Sequence, residues 1–456
     1  MAMSNSATPA SLAASSDPLG SWDPRPLWQA QLAPQPDRTA GPLPEVVDLA
    51  VIGGGLAGAA AARRAGLLGA RVAVLEAETA GWGASSRNGG IVHAGFHACP
   101  EELIRAYGPE VGRALFADSV ASVEWVASVV AQEGIEADFE RRGHLDLAYA
   151  PSHAPALEAV AREQAAAGLA SCWVSRDGLR DEIGSSAYHG GLLVESSGSI
   201  QPARYAAGLA AAAERAGASW HDGVRVLRVR RQRDARFVVE TSAGALLAKE
   251  VFAGTNGYTD GALPALRRRI LSIGSYIIAT DPLPSDLAHE LSPRGRVFFD
   301  SKNFLYYWRI TPDNRMVWGG RASFWPMSVG QIARILYRGM VGVHPQLAGV
   351  RIAHAWGGRL GFTYDRLPHV GRQDGVTYAV GCCGTGIAML PFMADRAVSW
   401  VLAGGEAPAL AAVKFPLVPA PYEGRAWFLP AVGEYFRFRD WRAGREASKE
   451  DEALKG

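Results

Sequence analysis

The sequence predicts an α/β protein: a Rossmann-type nucleotide-binding domain with an interleaved α+β domain built on an antiparallel sheet. Three observations carry this. A βαβ opening lies within residues 47–75, a strand, glycine turn and helix close the globular part near residues 376–403, and β-rich runs without helical alternation occupy residues 270–318. With 456 residues, 48% of them hydrophobic and 20% charged, the chain has material for two such domains.

Taken in order, residues 1–46 are rich in Ala, Ser and Pro and predict a mostly irregular arm anchored by Trp22 and Trp28. Residues 47–52 read as a buried strand, 56–68 as an Ala-rich helix and 71–75 as a second strand. A long helix starts at Pro109, with Val111, Leu115, Val123, Val126 and Val130 near helical spacing. A further helix over 201–217 leads into strands over 224–229, 237–240 and 246–253. The β-rich runs are 275–280, 304–310 and 316–318, followed by a helix over 331–341, a strand over 376–380 and a last helix from about 387 to 403. The expected nucleotide-binding domain therefore combines 47–98, 197–260 and 350–410; the substrate domain combines 99–196 and 261–349. Residues 411–456 form a C-terminal extension.

Charge excludes some partners. The net charge of +1, from 46 basic and 45 acidic side chains, gives no field to attract nucleic acid or an anionic membrane. The Arg-rich run 225–236 alternates with Val224, Val226 and Val229, as the solvent face of a hairpin does. Cys99, Cys172, Cys382 and Cys383 form neither a disulfide framework nor a metal-binding spacing, so no metal is expected and a reducing cytoplasm suits the chain. No basic stretch followed by an apolar one opens the sequence, and the apolar run 49–62 stops at Arg63-Arg64, too soon to span a membrane.

Gly53-Gly54-Gly55-Leu56-Ala57-Gly58 fits GxGxxG directly after a buried strand and before a helix. Gly53 permits the tight turn, Gly55 lets backbone approach a pyrophosphate, and Gly58 lets helix and strand pack closely. The helix N-terminus adds free N–H groups and partial positive charge. Glu76, 18 residues past Gly58, ends the second strand where an acid would bond ribose hydroxyls. That carboxylate disfavours NADP but does not separate NAD from FAD. The second loop does: Gly81-Trp82-Gly83-Ala84-Ser85-Ser86-Arg87-Asn88-Gly89-Gly90 follows where an NAD fold would enter a helix, and only FAD needs so long a cradle, with Ser85, Arg87 and Asn88 as donors.

With those segments, Gly198-Ser199-Ile200-Gln201-Pro202, Thr255-Asn256-Gly257-Tyr258, Trp356-Gly357-Gly358 and Leu367-Pro368-His369-Val370-Gly371, the chain resembles the D-amino-acid-oxidase-like family of FAD-dependent oxidoreductases, and within it the gamma-glutamylputrescine oxidase branch. The resemblance implies that Val226 offers its backbone to the adenine, that Gly254 lies near the dinucleotide, and that Gly384, Thr385, Gly386 and Ile387 hold the flavin ring. The turn's N–H groups would also face the negative charge of a reduced flavin. Where relatives attach flavin covalently, this chain has no cysteine over 356–365 and places Arg87 at the histidyl position, so noncovalent FAD is expected. Val317 stands where sarcosine oxidases have an oxygen-activating lysine, which leaves O2 and other electron acceptors open.

The family chemistry is oxidation of a C–N bond in an amine or amino acid, hydride passing to flavin N5 and the imine then hydrolysing. Two alternatives stay open: a flavin-dependent 2-hydroxy-acid dehydrogenase, and a non-catalytic flavoprotein with a binding role. For substrate contacts the candidates are Tyr307 and Arg309, which share one strand face, with Arg309 placed to grip a carboxylate, and Trp356 and Arg359 beside the flavin turn.

Overall fold

The computed structural model describes residues 17–39, 41–321 and 324–453. The first sixteen residues of the expected arm lie outside them.

Hydrophobic runs buried on both faces build the first sheet. In Val46–Ile52, Leu49 and Val51 point to one core and Ala50 and Ile52 to the other, the pattern of a central parallel strand. The strand order is His369–Gln373, Val376–Val380, Gly244–Ala253, Val46–Ile52, Val72–Leu75 and Ser219–His221, and the last four pair in parallel. Gly244–Ala253 has two partners along one side. Its first half pairs antiparallel with Phe237–Thr241, which continues to Val226–Arg231, while Phe252 and Ala253 pair in parallel with Val376–Val380. Arg228 and Arg230 of the Arg-rich run are exposed, and Arg230 is ion-paired with Glu240.

Helices Leu56–Leu67, Pro202–Arg215 and Met389–Ala403 share the core on one face of this sheet. Helix Pro109–Gln132 is long and apolar enough, by composition, to cross a membrane, yet Leu115, Phe116, Val123, Val126 and Val129 join that same core.

The second sheet runs Ile352–Phe362, Leu271–Thr280, Met316–Gly320, Tyr306–Ile310, Val297–Asp300, His144–Leu147, Gly191–Val194 and Ser171–Val174. Every pairing is antiparallel except Val297–Asp300 with His144–Leu147. Helix Val329–Val343, opened by a Ser328/Gln331 capping box, lays Ile332, Leu336 and Met340 on a core that includes Phe298, Trp308 and Trp318.

One expectation changes. Residues 350–362 were expected in the nucleotide-binding domain, but Ile352–Phe362 is an edge strand of the second sheet, in register with Leu271–Thr280 along its length. Its small and aromatic residues, Trp356-Gly357-Gly358, suit a strand as well as a loop, so the boundary moves to the turn after Phe362. Among the arm's described residues, Trp28 is an anchor, as the sequence suggests. Trp28, in the short helix Leu27–Ala30, is 1% exposed and donates from Nε1 to the Asn88 carbonyl oxygen at 2.7 Å, and Asp23 bridges to His354. In the C-terminal extension, Leu429–Ala453 forms a long helix.

Candidate flavin and substrate site

A cavity of about 2160 Å³ runs from the C-terminal ends of the parallel strands to the face of the second sheet. The first glycine turn forms one end. Gly53 has φ +94°, which glycine adopts without strain, and a Cβ on Gly58 would sit 1.8 Å from the Gly53 carbonyl oxygen. Gly53, Gly55, Leu56 and Ala57 line the cavity, whereas Gly58 does the packing behind it. Glu76 accepts from the backbone N–H of Gly54 at 2.6 Å through one carboxylate oxygen and from that of Glu78 at 2.9 Å through the other. Burial pushes its carboxyl upward and the two amides pull it back. Val226 and Gly254 line the same end.

The second loop folds on itself. Ser85 Oγ accepts from the Leu56 N–H at 3.0 Å, Asn88 Nδ2 donates to the carbonyls of Ala84 and Ser85, and Asn88 Oδ1 accepts from the Gly90 N–H. Asn88 thus shapes the loop, with its amide already engaged. Arg87 donates to the Trp82 carbonyl and stacks on the Trp82 ring at 4.6 Å. Gly83, Ala84, Ser85, Arg87, Asn88 and Gly89 line the cavity; Gly90 does not, because it abuts Ile200 and Arg309.

At the far end, Gly384, Thr385, Gly386 and Ile387 line the cavity in a turn that precedes the last helix. That helix starts at Met389, slightly later than the sequence suggests, with the Met389 N–H on the Thr385 carbonyl. Asn256 fastens the turn to the sheet: its Oδ1 accepts from the N–H groups of Gly381 and Cys382, and its Nδ2 donates to Cys382 Sγ. The sequence motif contained Asn256 but gave it no task.

Of the substrate candidates, Tyr307 and Arg359 line the cavity and Arg309 and Trp356 do not. Tyr307 is a half-buried wall whose hydroxyl meets Ser275 Oγ at 3.0 Å; Arg359 is exposed at the rim. Arg309 corrects the expectation of a carboxylate grip. Its Nε donates to the Gly89 carbonyl at 3.0 Å and its Nη2 to the Ile200 carbonyl at 2.8 Å, with the Trp28 ring beneath at 4.9 Å. Facing the back of the glycine loop, it has no free donor edge toward the cavity. Trp356 is likewise a packing residue, 1% exposed, with Nε1 on the Arg87 carbonyl at 3.1 Å.

The cavity also gathers residues that sequence reasoning passed over: His93, His97, His144, Asp146, Arg321 and Phe362. His144 Nδ1 lies 2.7 Å from Ser197 Oγ and its Nε2 3.4 Å from Asp146; His97 Nε2 lies 2.8 Å from the Cys383 carbonyl. Burial holds His93 down to about 4 and so neutral. At Asp146 burial acts to raise the pKa, but the charge of and hydrogen bond to His144 outweigh it, and the carboxyl stays below its usual range. The spacing His144-Leu145-Asp146, on one strand face, was the available signal.

The family profile DAO, FAD dependent oxidoreductase, matches residues 48–400. The chain belongs to this family. Among curated relatives it is 30% identical over 399 residues to the gamma-glutamylputrescine oxidoreductase of Escherichia coli, covering 86% of this chain and 92% of that protein. It is 29% identical over 408 residues to a probable oxidoreductase OrdL of Haemophilus influenzae, covering 87% and 92%. Glycine oxidase from Geobacillus kaustophilus superposes with TM-score 0.69 at 20% identity over 83% of this chain and all of that one. L-proline dehydrogenase from P. horikoshii gives 0.65 at 18% identity, over 87% of this chain and 99% of that one. Those two likenesses establish the two-domain fold. For a member of this FAD-dependent family, a glycine turn that a β-carbon would fill, an acid at the second strand end and a long second loop fit a dinucleotide of FAD length.

Proposed function

We propose that this FAD-dependent oxidoreductase oxidises a C–N bond of a small amine or amino acid, with FAD held noncovalently. The observation that carries the reading is the continuity of one cavity from the Gly53–Gly58 turn and Glu76 to a pocket walled by Tyr307, His93 and Asp146. Similarity to a gamma-glutamylputrescine oxidoreductase over most of both chains supports the amine.

FAD bound there would supply the oxidation, a hydride leaving the substrate carbon for flavin N5. The protein's own groups do the rest. Glu76 and the first turn would hold the adenosine and pyrophosphate, and the 384–387 turn, which lines the other end of the cavity, would lie against the flavin. Asp146 is ionised against His144 through Oδ2, which leaves its Oδ1 to accept from a substrate ammonium. Tyr307, with its hydroxyl on Ser275, walls the pocket and would position a substrate there. Noncovalent attachment is supported by Cys383, whose thiol burial pushes up to about 12, making it a poor nucleophile.

The test is anaerobic reduction of the bound flavin by panels of amines, amino acids and 2-hydroxy acids. Bleaching by amines or amino acids supports the reading; bleaching by hydroxy acids alone, or by nothing, overturns it. Peroxide formation in air then separates O2 from another electron acceptor.

A further inference from the structure

We infer that the outward face of the C-terminal helix Leu429–Ala453 is a docking surface for an anionic lipid bilayer, its aromatic rings entering the headgroup layer and its arginines meeting lipid phosphates. Exposed Trp325, Trp427 and Arg439 also line the cavity, so the bilayer would lie beside an opening of it.

Contacts with the body decide which face looks outward. Asp440 accepts from the backbone N–H groups of Asn303 and Phe304 and from Asn303 Nδ2. A Cβ on Gly444 would lie 2.6 Å from the Tyr149 hydroxyl, and Gly433 packs on Phe304 and Phe324. At 3.6 residues per turn, 433, 440 and 444 share one face. The opposite face carries Tyr435, Phe438, Arg442 and Arg445, with Arg439 and Trp441 at its borders.

That face is unlike the rest of the surface. Among the described residues six aromatic side chains are more than half exposed, and five of them, Trp325, Trp427, Tyr435, Phe438 and Trp441, lie on or next to this helix; they form a patch, not scattered singles. Trp325 Nε1 donates to Glu434, Phe438 stacks on Trp441 with centroids 5.8 Å apart, and the Arg445 guanidinium lies 5.2 Å over the Trp441 ring. Arg439, Arg442 and Arg445 are exposed, and none has an ion pair among the described residues. The carboxylates beside them are engaged: Glu434 with Trp325 and Arg437, Asp440 with the 303–304 backbone, Glu446 with Ser152. Carboxylates return in the sequence at Glu450-Asp451-Glu452, and the face ends before them.

Rings and guanidinium groups at one depth are what a headgroup layer accommodates: the aromatic bodies settle at the acyl boundary while arginine meets phosphate. A second copy fits less well, because a twofold contact through this face would bring the arginines of both copies together with no free carboxylate between them. The overall charge of +1 supplies no long-range pull, so docking depends on this local group and on the rings together.

The test is flotation of the holoprotein with vesicles of phosphatidylcholine, alone or mixed with phosphatidylglycerol. Wild type is compared with Phe438→Ser/Trp441→Ser and with Arg442→Gln/Arg445→Gln. Wild type should float with the mixed vesicles at low salt and far less with neutral ones, and each double variant should bind the mixed vesicles on the order of ten-fold or more weakly. FAD content should match in all three, since the replaced side chains face outward; a double variant that loses FAD is replaced by Trp441→Ser or Arg442→Gln alone. The inference is overturned if wild type binds neither vesicle or both equally, or if either variant binds as wild type does. Dimers that the aromatic variant abolishes, without vesicle binding, would assign the face to a second copy. Retention on poly-aspartate without vesicle binding would assign it to an acidic protein, and either result also overturns the inference.

Discussion

The guanidinium of Arg309, carried by the second sheet, donates to the carbonyl oxygen of Gly89 in the glycine-rich loop of the first. The two domains are joined there by a buried bond, and a second donor on the same side chain holds Ile200. Arg309→Ala leaves both carbonyls unpaired, at a cost of about 2–4 kcal/mol in unfolding free energy, with weaker FAD retention. Relative activity on carboxylate-bearing and neutral amines should not move. A variant with wild-type unfolding and FAD affinity but altered selectivity would put Arg309 back in the substrate pocket.

Glu76→Ala should weaken FAD binding by about 1.5–3 kcal/mol while the FAD-saturated protein keeps most of its turnover. Glu76→Gln should lose nearly as much, because both carboxylate oxygens accept backbone N–H groups and an amide offers only one acceptor. Titration of apoprotein with FAD reads both effects, and unchanged affinity in either variant contradicts the assignment.

Two glycine replacements should act in opposite directions. At Gly58 a methyl would collide with the Gly53 carbonyl oxygen, so Gly58→Ala should distort the turn and abolish stable FAD retention. Gly342, inside helix Val329–Val343, has nothing within 4 Å of its Cβ position and no positive φ, and Gly342→Ala should stabilise the protein by about 0.5–1 kcal/mol. Denaturant unfolding checks the second, and flavin content after gel filtration the first.

His344 is fully buried against Trp308 and Trp318, with no hydrogen bond on either ring nitrogen among the described residues, and burial lowers its pKa to about 4. The unfolded chain, near 6.5, takes up a proton that the folded one refuses, so stability falls as pH drops from 6.5 toward 4. The full effect is about 3 kcal/mol. His344→Phe should flatten this part of the profile relative to wild type; parallel curves for the two proteins would show that His344 does not titrate as its burial implies.

Acid precipitation should leave intact FAD in the supernatant. Flavin that stays with the pellet would mean a covalent bond, and Cys383, which lines the cavity, would be the first residue to examine.

The opening turn, Glu76 and the last strand were legible in the sequence because their constraints are local: spaced glycines between a strand and a helix, an acid at a strand end, an apolar run. The short strands His144–Leu147, Ser171–Val174 and Gly191–Val194 were not predicted, since four residues each carry little periodicity and their partners are distant in sequence. Period-2 reading put Tyr307 and Arg309 on one face, as they are. It could not show that the glycine loop passes in front of Arg309 and leaves only Tyr307 open to the cavity.

Strand Val376–Val380 completes the parallel sheet by docking on the end of Gly244–Ala253, and the turn it leads into lines the same cavity as the turn at Gly53. During synthesis the first glycine turn is therefore made long before the 384–387 turn, and the sheet keeps an unsatisfied edge at Phe252 and Ala253 until more than four-fifths of the chain has been made. Flavin loading is in this sense a late event in biogenesis, and chains interrupted before residue 376 would present an open strand to any neighbour able to add one.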